Sequence, residues 1–256
     1  MLTKHSMRQY KFIEMANLPQ NPVAAVAISY IAGESIEKLN SSGINTYIIN
    51  NNPLLPEPVN SHADLQILHF GKDVIFCQNE HLCIGESTQK FKQIIIKESA
   101  GNKYPDDVRL NCAIIGKNII CNEKTISKDI LDYGYQNGYK VVNVNQGYTR
   151  CSICIVNENA IITDDESIFA AAGNFLNDAL FVSKGSIRLK GYNYGFIGGC
   201  CGKISDNKIA FNGEISAHKD CNKIINFLNK YNIECIELKK GPLDDIGGII
   251  PLYEYL

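Results

Sequence analysis

One pattern recurs five times along this chain, and it limits the fold more than any single motif does. It appears first at residues 61–76, SHADLQILHFGKDVIF, where polar His62, Asp64 and Gln66 alternate with apolar Ala63, Leu65 and Ile67 before a second apolar run follows a glycine turn. On an extended chain a period of two puts each set on its own face, so the segment predicts a half-buried strand with a polar row. KYPDDVRLNCAIIGKNIICN repeats it with Asp107, Arg109 and Asn111 against Val108, Leu110 and Cys112. GYTRCSICIVNENAIITDD offers Tyr148, Arg150 and Ser152 against Thr149, Cys151 and Ile153. A looser copy, NYGFIGGCCGKISDNKIAFNG, places Ile197, Gly199 and Cys201 at the polar positions, and PLDDIGGIIPLYEYL sets Asp245 where His62 and Asp107 stand. Equivalent positions 62, 107, 148, 197 and 245 are separated by 45, 41, 49 and 48 residues, a period typical of repeat architectures.

Between copies the rhythm becomes helical. CNKIINFLNKYNIECIEL sets Cys221, Ile224, Ile225, Leu228 and Tyr231 at helical spacing before a strand. ESIFAAAGNFLNDALF puts Ile168, Phe169, Ala172, Phe175, Leu176 and Ala179 on one helical face behind an acidic TDDES start. TISKDILDYGYQNGYKVVNV predicts a helix closed by Gly138 and followed by a strand, and ESIEKLNSSGINTYIIN does the same in miniature. The segment GESTQKFKQIIIKESAGN shows no clean helix, so the helix content of 84–103 stays open.

Each unit therefore reads strand, strand, helix, strand. A unit of this size cannot cover its own apolar faces, so neighbours must pack, and five of them can close a ring. The expected architecture is a single α/β domain over residues 1–256 with pseudo-fivefold repeats, a five-bladed α/β propeller. All-strand propellers are excluded by the helices, and a doubly wound sheet leaves the paired strands unexplained.

This arrangement resembles the pentein, or guanidine-modifying-enzyme, fold shared by arginine deiminase, agmatine deiminase, dimethylarginine hydrolase and a non-enzymatic ribosome anti-association factor. His62-Ala63-Asp64 is similar to the family's His-x-Asp. The resemblance implies His62 as general acid/base and Asp64 as a guanidinium ligand. Gly247-Gly248-Ile249-Ile250-Pro251-Leu252 resembles the C-terminal Gly-Gly-x-x-His-Cys, with Leu252 in the nucleophile's place and Pro251 in that of the His. His-x-Asp stands here in the first repeat, whereas in the hydrolases it comes one repeat before the nucleophile.

Pointing every polar row at one axis would gather His62, Asp64, Gln66, Asp107, Arg109, Asn111, Tyr148, Arg150, Ser152, Cys201 and Asp245 around a channel. Asp64, Asp107 and Asp245 suit a guanidinium or ammonium head, Arg109 or Arg150 a carboxylate, with Asn111 and Ser152 as further ligand contacts. The expected ligand is a small guanidino or amino-acid-like molecule. The same charges could instead satisfy one another as structural ion pairs, Asp107 with Arg109 or Asp64 with Arg150. Strand phase puts Cys201 and Cys154 on the polar face and Cys151 and Cys200 on the apolar one, which makes Cys201 the candidate nucleophile.

Other chemistries fit poorly. Cys151-Ser-Ile-Cys154 would point opposite ways on a strand, and with Cys200 and Cys201 the spacing is wrong for a zinc ribbon, so no metal and no cofactor are expected. GFIGGCCGK and DDIGGII lack the lysine-Ser/Thr ending of a phosphate loop, and their glycines are expected to let backbones crowd at the axis. The net charge of -2, from 25 basic and 27 acidic residues, gives no electrostatic case for nucleic acid or an anionic membrane. No apolar run approaches a membrane span and the first twenty residues show no signal-peptide pattern, so a cytoplasmic protein with reduced, mainly structural cysteines is expected, its oligomeric state open. Two functions remain in view: a ligand-binding protein with amidino hydrolase chemistry, and a non-catalytic relative of the ribosomal factor that binds a macromolecule.

Overall fold

The computed structural model describes residues 9–78 and 91–256. Its strands fall into five small sheets, four of three strands and one of four. The first unit contains β4 (Ile67–Gly71), β5 (Val74–Cys77) and β6 (Lys92–Ile95). β7 (Ala113–Ile115), β8 (Asn118–Cys121), α3 (Lys128–Gln136) and β9 (Lys140–Asn143) form the second. β10 (Ile153–Asn157), β11 (Ala160–Thr163), α4 (Glu166–Ala172) and β12 (Asp178–Phe181) form the third. The fourth is β13 (Cys201–Ser205), β14 (Lys208–Phe211), α5 (Cys221–Lys230) and β15 (Glu234–Glu237). In each unit the first two strands pair antiparallel as a hairpin, and the second pairs parallel with the third. A parallel return needs a crossover, and the helix supplies it in three of these units.

The fifth unit is assembled from both ends of the chain. β16 (Ile249–Tyr255) pairs antiparallel with β2 (Val23–Ser29), which leads through α1 (Glu34–Ser41) to the parallel β3 (Asn45–Ile49). β1 (Tyr10–Phe12) adds an outer antiparallel strand to β16. The fifth sequence copy, which offers only one strand before the C-terminus, thus obtains its second strand, helix and third strand from the N-terminal region.

Five apolar clusters join the sheets in a closed cycle. Ile67 and Ile75 meet Ala25 and Leu252; Phe70 and Phe76 meet Ile114 and Ile119; Ile115 and Ile120 meet Ile153 and Ile161. Cys154 and Ile162 meet Ile209 and Phe211, and Ile204 and Ala210 meet Val26 and Ile28, which completes the round. Burying one such side chain completely contributes roughly 1.5–3 kcal/mol, and β strands covered on both faces read as the near-continuous Ile/Val runs seen here.

The helices follow their sequence signals, with one correction. α3 starts on Ser127, whose hydroxyl accepts from the Asp129 N–H, and stops before Gly138 at φ +72°, a conformation that costs glycine little. α4 starts as expected on Asp165 but ends at Ala172, shorter than the apolar spacing suggested. Gly173 caps it; Leu176 remains buried in the same cluster from a loop, and Ala179 belongs to β12. Of the segment 84–103, Lys92–Ile95 is strand, and the stretch 84–90 lies outside the described residues.

Apart from Cys201, which opens β13, the polar rows themselves are not strand. Residues 62–66 are a turn running into α2 (Ala63–Gln66), and β4 begins only at Ile67. The His62, Asn111, Ser152 and Ile153 amides donate to the carbonyls of Val59, Val108, Tyr148 and Arg150, the three- and four-residue bonds of tight turns. Gly198–Cys200 is likewise a single helical turn before β13. Each row lies at the entrance to its unit's first strand instead of along it. Gln66 is used up structurally, donating to the carbonyls of Asn50 and Asn60.

No helix among the described residues is long and apolar enough to cross a membrane. The nine cysteines among them are free thiols, seven of them buried.

Candidate functional site

The turns that open the first, second, third and fifth units meet at one buried centre. Asn111 is its brace: the side-chain NH2 donates to the Asp64 carbonyl at 3.2 Å and to the Cys151 sulfur at 3.2 Å, while Oδ1 accepts from the amides of Arg150 at 2.8 Å and Cys151 at 3.3 Å. One amide side chain thereby ties together turns from three repeats. The Cys151 thiol donates to Asp64 Oδ2 at 2.9 Å. Asp245 Oδ1 accepts from the Gly247 amide at 3.0 Å and lies 3.7 Å from His62 Nδ1, and its Oδ2 accepts from the Phe196 amide at 2.9 Å. At this centre two buried atoms, His62 Nε2 and Asp64 Oδ1, have no hydrogen-bond partner among the described residues.

The glycines permit this close approach. Gly247 and Gly248 have φ of +75° and +77°, and a methyl on Gly247 would overlap the Cα and Cβ of His62. A methyl on Gly199 would overlap the Asp245 carboxylate.

A cleft of about 240 Å³ opens on this centre. His62, Cys151 and Asp245 line its base, and Tyr148, Tyr192, Tyr194 and Phe196 supply most of its wall. Tyr148 stacks on Phe196 at 6.1 Å between ring centroids, and Tyr194 meets Phe196 edge-on at 6.0 Å. Behind Tyr148 stands Asp107, which accepts the phenol hydrogen and keeps Oδ1 without a partner among the described residues. The lining contains no lysine or arginine among the described residues. Aromatic faces backed by carboxylates favour a cation.

Burial dominates the electrostatics. It raises the Asp245 carboxyl above its ordinary value, against the pull of His62. Burial also raises Asp107, despite the Tyr148 hydrogen bond. The Cys151 thiol is pushed well above its usual range, first by burial and then by the charges of Asp64 and Asp245. The centre therefore holds Cys151 as a thiol and not a thiolate.

The residues expected from sequence divide into two groups. His62, Asp64, Asn111 and Asp245 meet at the centre, with Asp107 one layer behind. Arg109 turns outward to Asp106 and the Thr125 carbonyl and does not line the cleft. Arg150 lies beneath the floor, donating to the carbonyls of Ile153 and Gly198. Ser152 spends its hydroxyl on the Tyr148 carbonyl. Neither ion pair foreseen between Asp107 and Arg109 or Asp64 and Arg150 is formed within 4.0 Å among the described residues.

Cys201 is placed in the apolar seam between the third and fourth units, fully buried and hydrogen-bonded with Cys154, away from the cleft. The cysteine at the cleft is Cys151. Strand phase had put it on the wrong face; counted on a turn, Cys151 follows Tyr148 by three residues and shares its side. The aromatic run of Arg188–Phe196, RLKGYNYGF, was the other unread signal. Leu252 is wholly buried in the cluster between β16 and β4, a packing residue remote from the cleft.

Comparison with known proteins agrees with this architecture. DDAH from Pseudomonas aeruginosa, a Cys-to-Ser mutant in complex with citrulline, superposes with a TM-score of 0.53 at 10% identity over 92% of this chain and 100% of that one. The inosamine-phosphate amidinotransferase from Streptomyces griseus gives a TM-score of 0.54 at 10% identity, over 93% of this chain and 94% of that one. No curated protein matches the sequence. At such identity the likeness speaks for the fold alone, a mixed α/β arrangement of small sheets. The chain belongs to the family of unknown function DUF6873, whose model matches residues 27–250, and it has the pentein fold.

Proposed function

We propose that the closed cycle of sheets is a five-bladed pentein propeller whose axial cleft binds a small organic cation, a guanidinium or amidinium, and acts on it with Cys151. The observation that carries this reading is the convergence of Cys151, His62, Asp64 and Asp245 at the base of an aromatic-walled cleft. A planar cation stacked on Tyr148 and Phe196 would face Asp245 and offset the two carboxylates that hold the thiol protonated. Its arrival would therefore lower the Cys151 pKa where attack is needed.

In the proposed reaction His62 Nε2 takes the thiol proton as Sγ bonds to the amidino carbon, and the C=N electrons move onto nitrogen. The departing amine receives that proton as its C–N bond breaks. Water then adds to the thiouronium carbon, and the thiol leaves with its proton restored. In this reading the nucleophile expected at Cys201 from strand phase is Cys151.

The test is incubation with agmatine, arginine and methylated arginines while following ammonia, ureido product and amine release. Turnover abolished by Cys151→Ser and by His62→Ala is expected; turnover indifferent to both overturns the roles. A second reading is favoured by Leu252 and by the protonated Cys151: a non-catalytic pentein that binds a macromolecule on one face of the ring. It predicts no turnover, no thermal shift with any guanidine, and a partner captured from extract whose retention depends on surface residues only.

A further inference from the structure

A separate cleft of about 260 Å³ lies at the far ends of the first strands of the third and fourth units. Asn157 and Glu158 reach it from the β10–β11 turn and Asp206 from the β13–β14 turn, while Met15, Leu18 and Pro19 close it from the N-terminal side. The cleft at Cys151 sits where such strands begin, and the two share no lining residue among those described.

Lys203 of β13 lines this cleft, although it is only 4% exposed. Its Nζ donates to the carbonyls of Val156 at 2.8 Å and Asp206 at 2.6 Å, and it makes no ion pair with a described residue. A buried ammonium without a carboxylate is costly to keep charged. Burial accordingly pushes Lys203 down to about 8, against smaller opposing pulls from Cys154 and Asp206.

His69 shows what the same position does when it only closes a seam. It pairs with Ile75 just before the bulge of β4, as Lys203 pairs with Ile209 just before the bulge of β13. Both His69 ring nitrogens lie 3.0 Å from carbonyls, those of Pro251 and Lys72. These acceptors match those of Lys203: one from a neighbouring unit, one from three residues on. An imidazole has two polar atoms, and both are used. An amine has three corners, and its carbonyls take two. Once Lys203 gives up a proton, its two hydrogens keep both carbonyls and a lone pair occupies the third corner, which makes the amine a nucleophile.

The surroundings select the electrophile. Glu158 and Asp206 oppose a product that gains negative charge, as a carbamate from carbon dioxide would, and favour a cationic one. Met15, Leu18 and Pro19 offer an apolar wall to an organic substituent. We propose that Lys203 is a Schiff-base site for a small apolar aldehyde. The nitrogen lone pair adds to the carbonyl carbon as the C=O electrons move onto oxygen. That oxygen leaves as water with the two amine hydrogens, and the imine takes up one proton to become an iminium, whose N–H stays on one of the two carbonyls. None of this depends on the chemistry proposed for Cys151.

The experiment treats the full chain with butanal and sodium cyanoborohydride, which reduces an iminium to a stable butyl amine, and follows each lysine by peptide mass spectrometry. An amine at about 8 has far more free base at pH 7.5 than an ordinary lysine near 10.4. Lys203 should therefore label about tenfold or more faster than the exposed Lys38 and Lys124, at a rate that saturates with butanal concentration. Glu158→Gln, on the exposed rim, should lower the yield at Lys203 and leave Lys38 unmoved. Labelling of Lys203 no faster than Lys38, or a rate linear in butanal, overturns the proposal. A carbamate at Lys203 seen by carbon-13 NMR in labelled bicarbonate, with butanal inert, overturns it as well.

Discussion

Replacing Asn111 by alanine removes a side chain that ties the turns of three repeats together. In the folded protein Asn111 is 1% exposed, so water does not stand ready to replace it. The substitution orphans the Asp64 carbonyl and the amides of Arg150 and Cys151, and takes a donor from the Cys151 sulfur. Each buried polar group left without a partner costs roughly 1–3 kcal/mol. Partial relaxation and one entering water should bring the total to about 3–5 kcal/mol, a large share of the 5–15 kcal/mol typical of a domain. Urea unfolding followed by circular dichroism measures it, with an unchanged m-value as the sign that the native state keeps its compactness. A loss under about 1 kcal/mol would refute the reasoning, because the brace would then carry nothing that solvent could not supply.

The carboxylate beside Cys151 holds its thiol up, so Asp64→Asn should speed iodoacetamide labelling of Cys151 near pH 8, read by peptide mass spectrometry; slower or equal labelling contradicts the electrostatic account. Asp164 is raised to about 7, mainly by burial. With the folded value above the unfolded one, its contribution to stability is full below about pH 4 and is lost as pH rises through about 7. Asp164→Asn should therefore flatten the decline in unfolding free energy between those pH values, by a few kcal/mol at most, and an unaltered slope argues against it. Leu252→Ala should cost about 2–5 kcal/mol by chemical denaturation, as for any fully buried leucine, while Leu252→Cys should create no guanidine turnover. Turnover gained at position 252 would relocate the site.

The five small sheets were legible because they rest on periodicity, the strongest signal a single sequence offers. The short apolar isoleucine runs in NIICN and AIITDD and the 3.6-residue spacing in CNKIINFLNK both became the elements they implied. The axial turns were not legible in the same way. Five residues such as His62 to Gln66 fit a period of two as readily as one helical turn, and the choice was made by a contact 183 residues away, the Asp64 amide on the Gly247 carbonyl. The convergence on a centre survived that error, since turns at the mouths of the first strands meet there as strands would. The assignment of faces did not survive it. Cys151 came inside and Cys201 went into a seam, and both arginines found backbone carbonyls that no sequence pattern marks. The chain's closure by β16 on β2 was implicit in a fifth copy lacking its second strand, with the missing pieces waiting at the other end.

The central claim is tested most directly by a crystal structure of the protein grown with butylguanidine. The account predicts the planar cation against Tyr148 and Phe196, hydrogen-bonded to Asp245, with the Cys151 sulfur beneath its central carbon. Clear density for the ligand at any other place on the ring, with this cleft filled only by solvent, would contradict it.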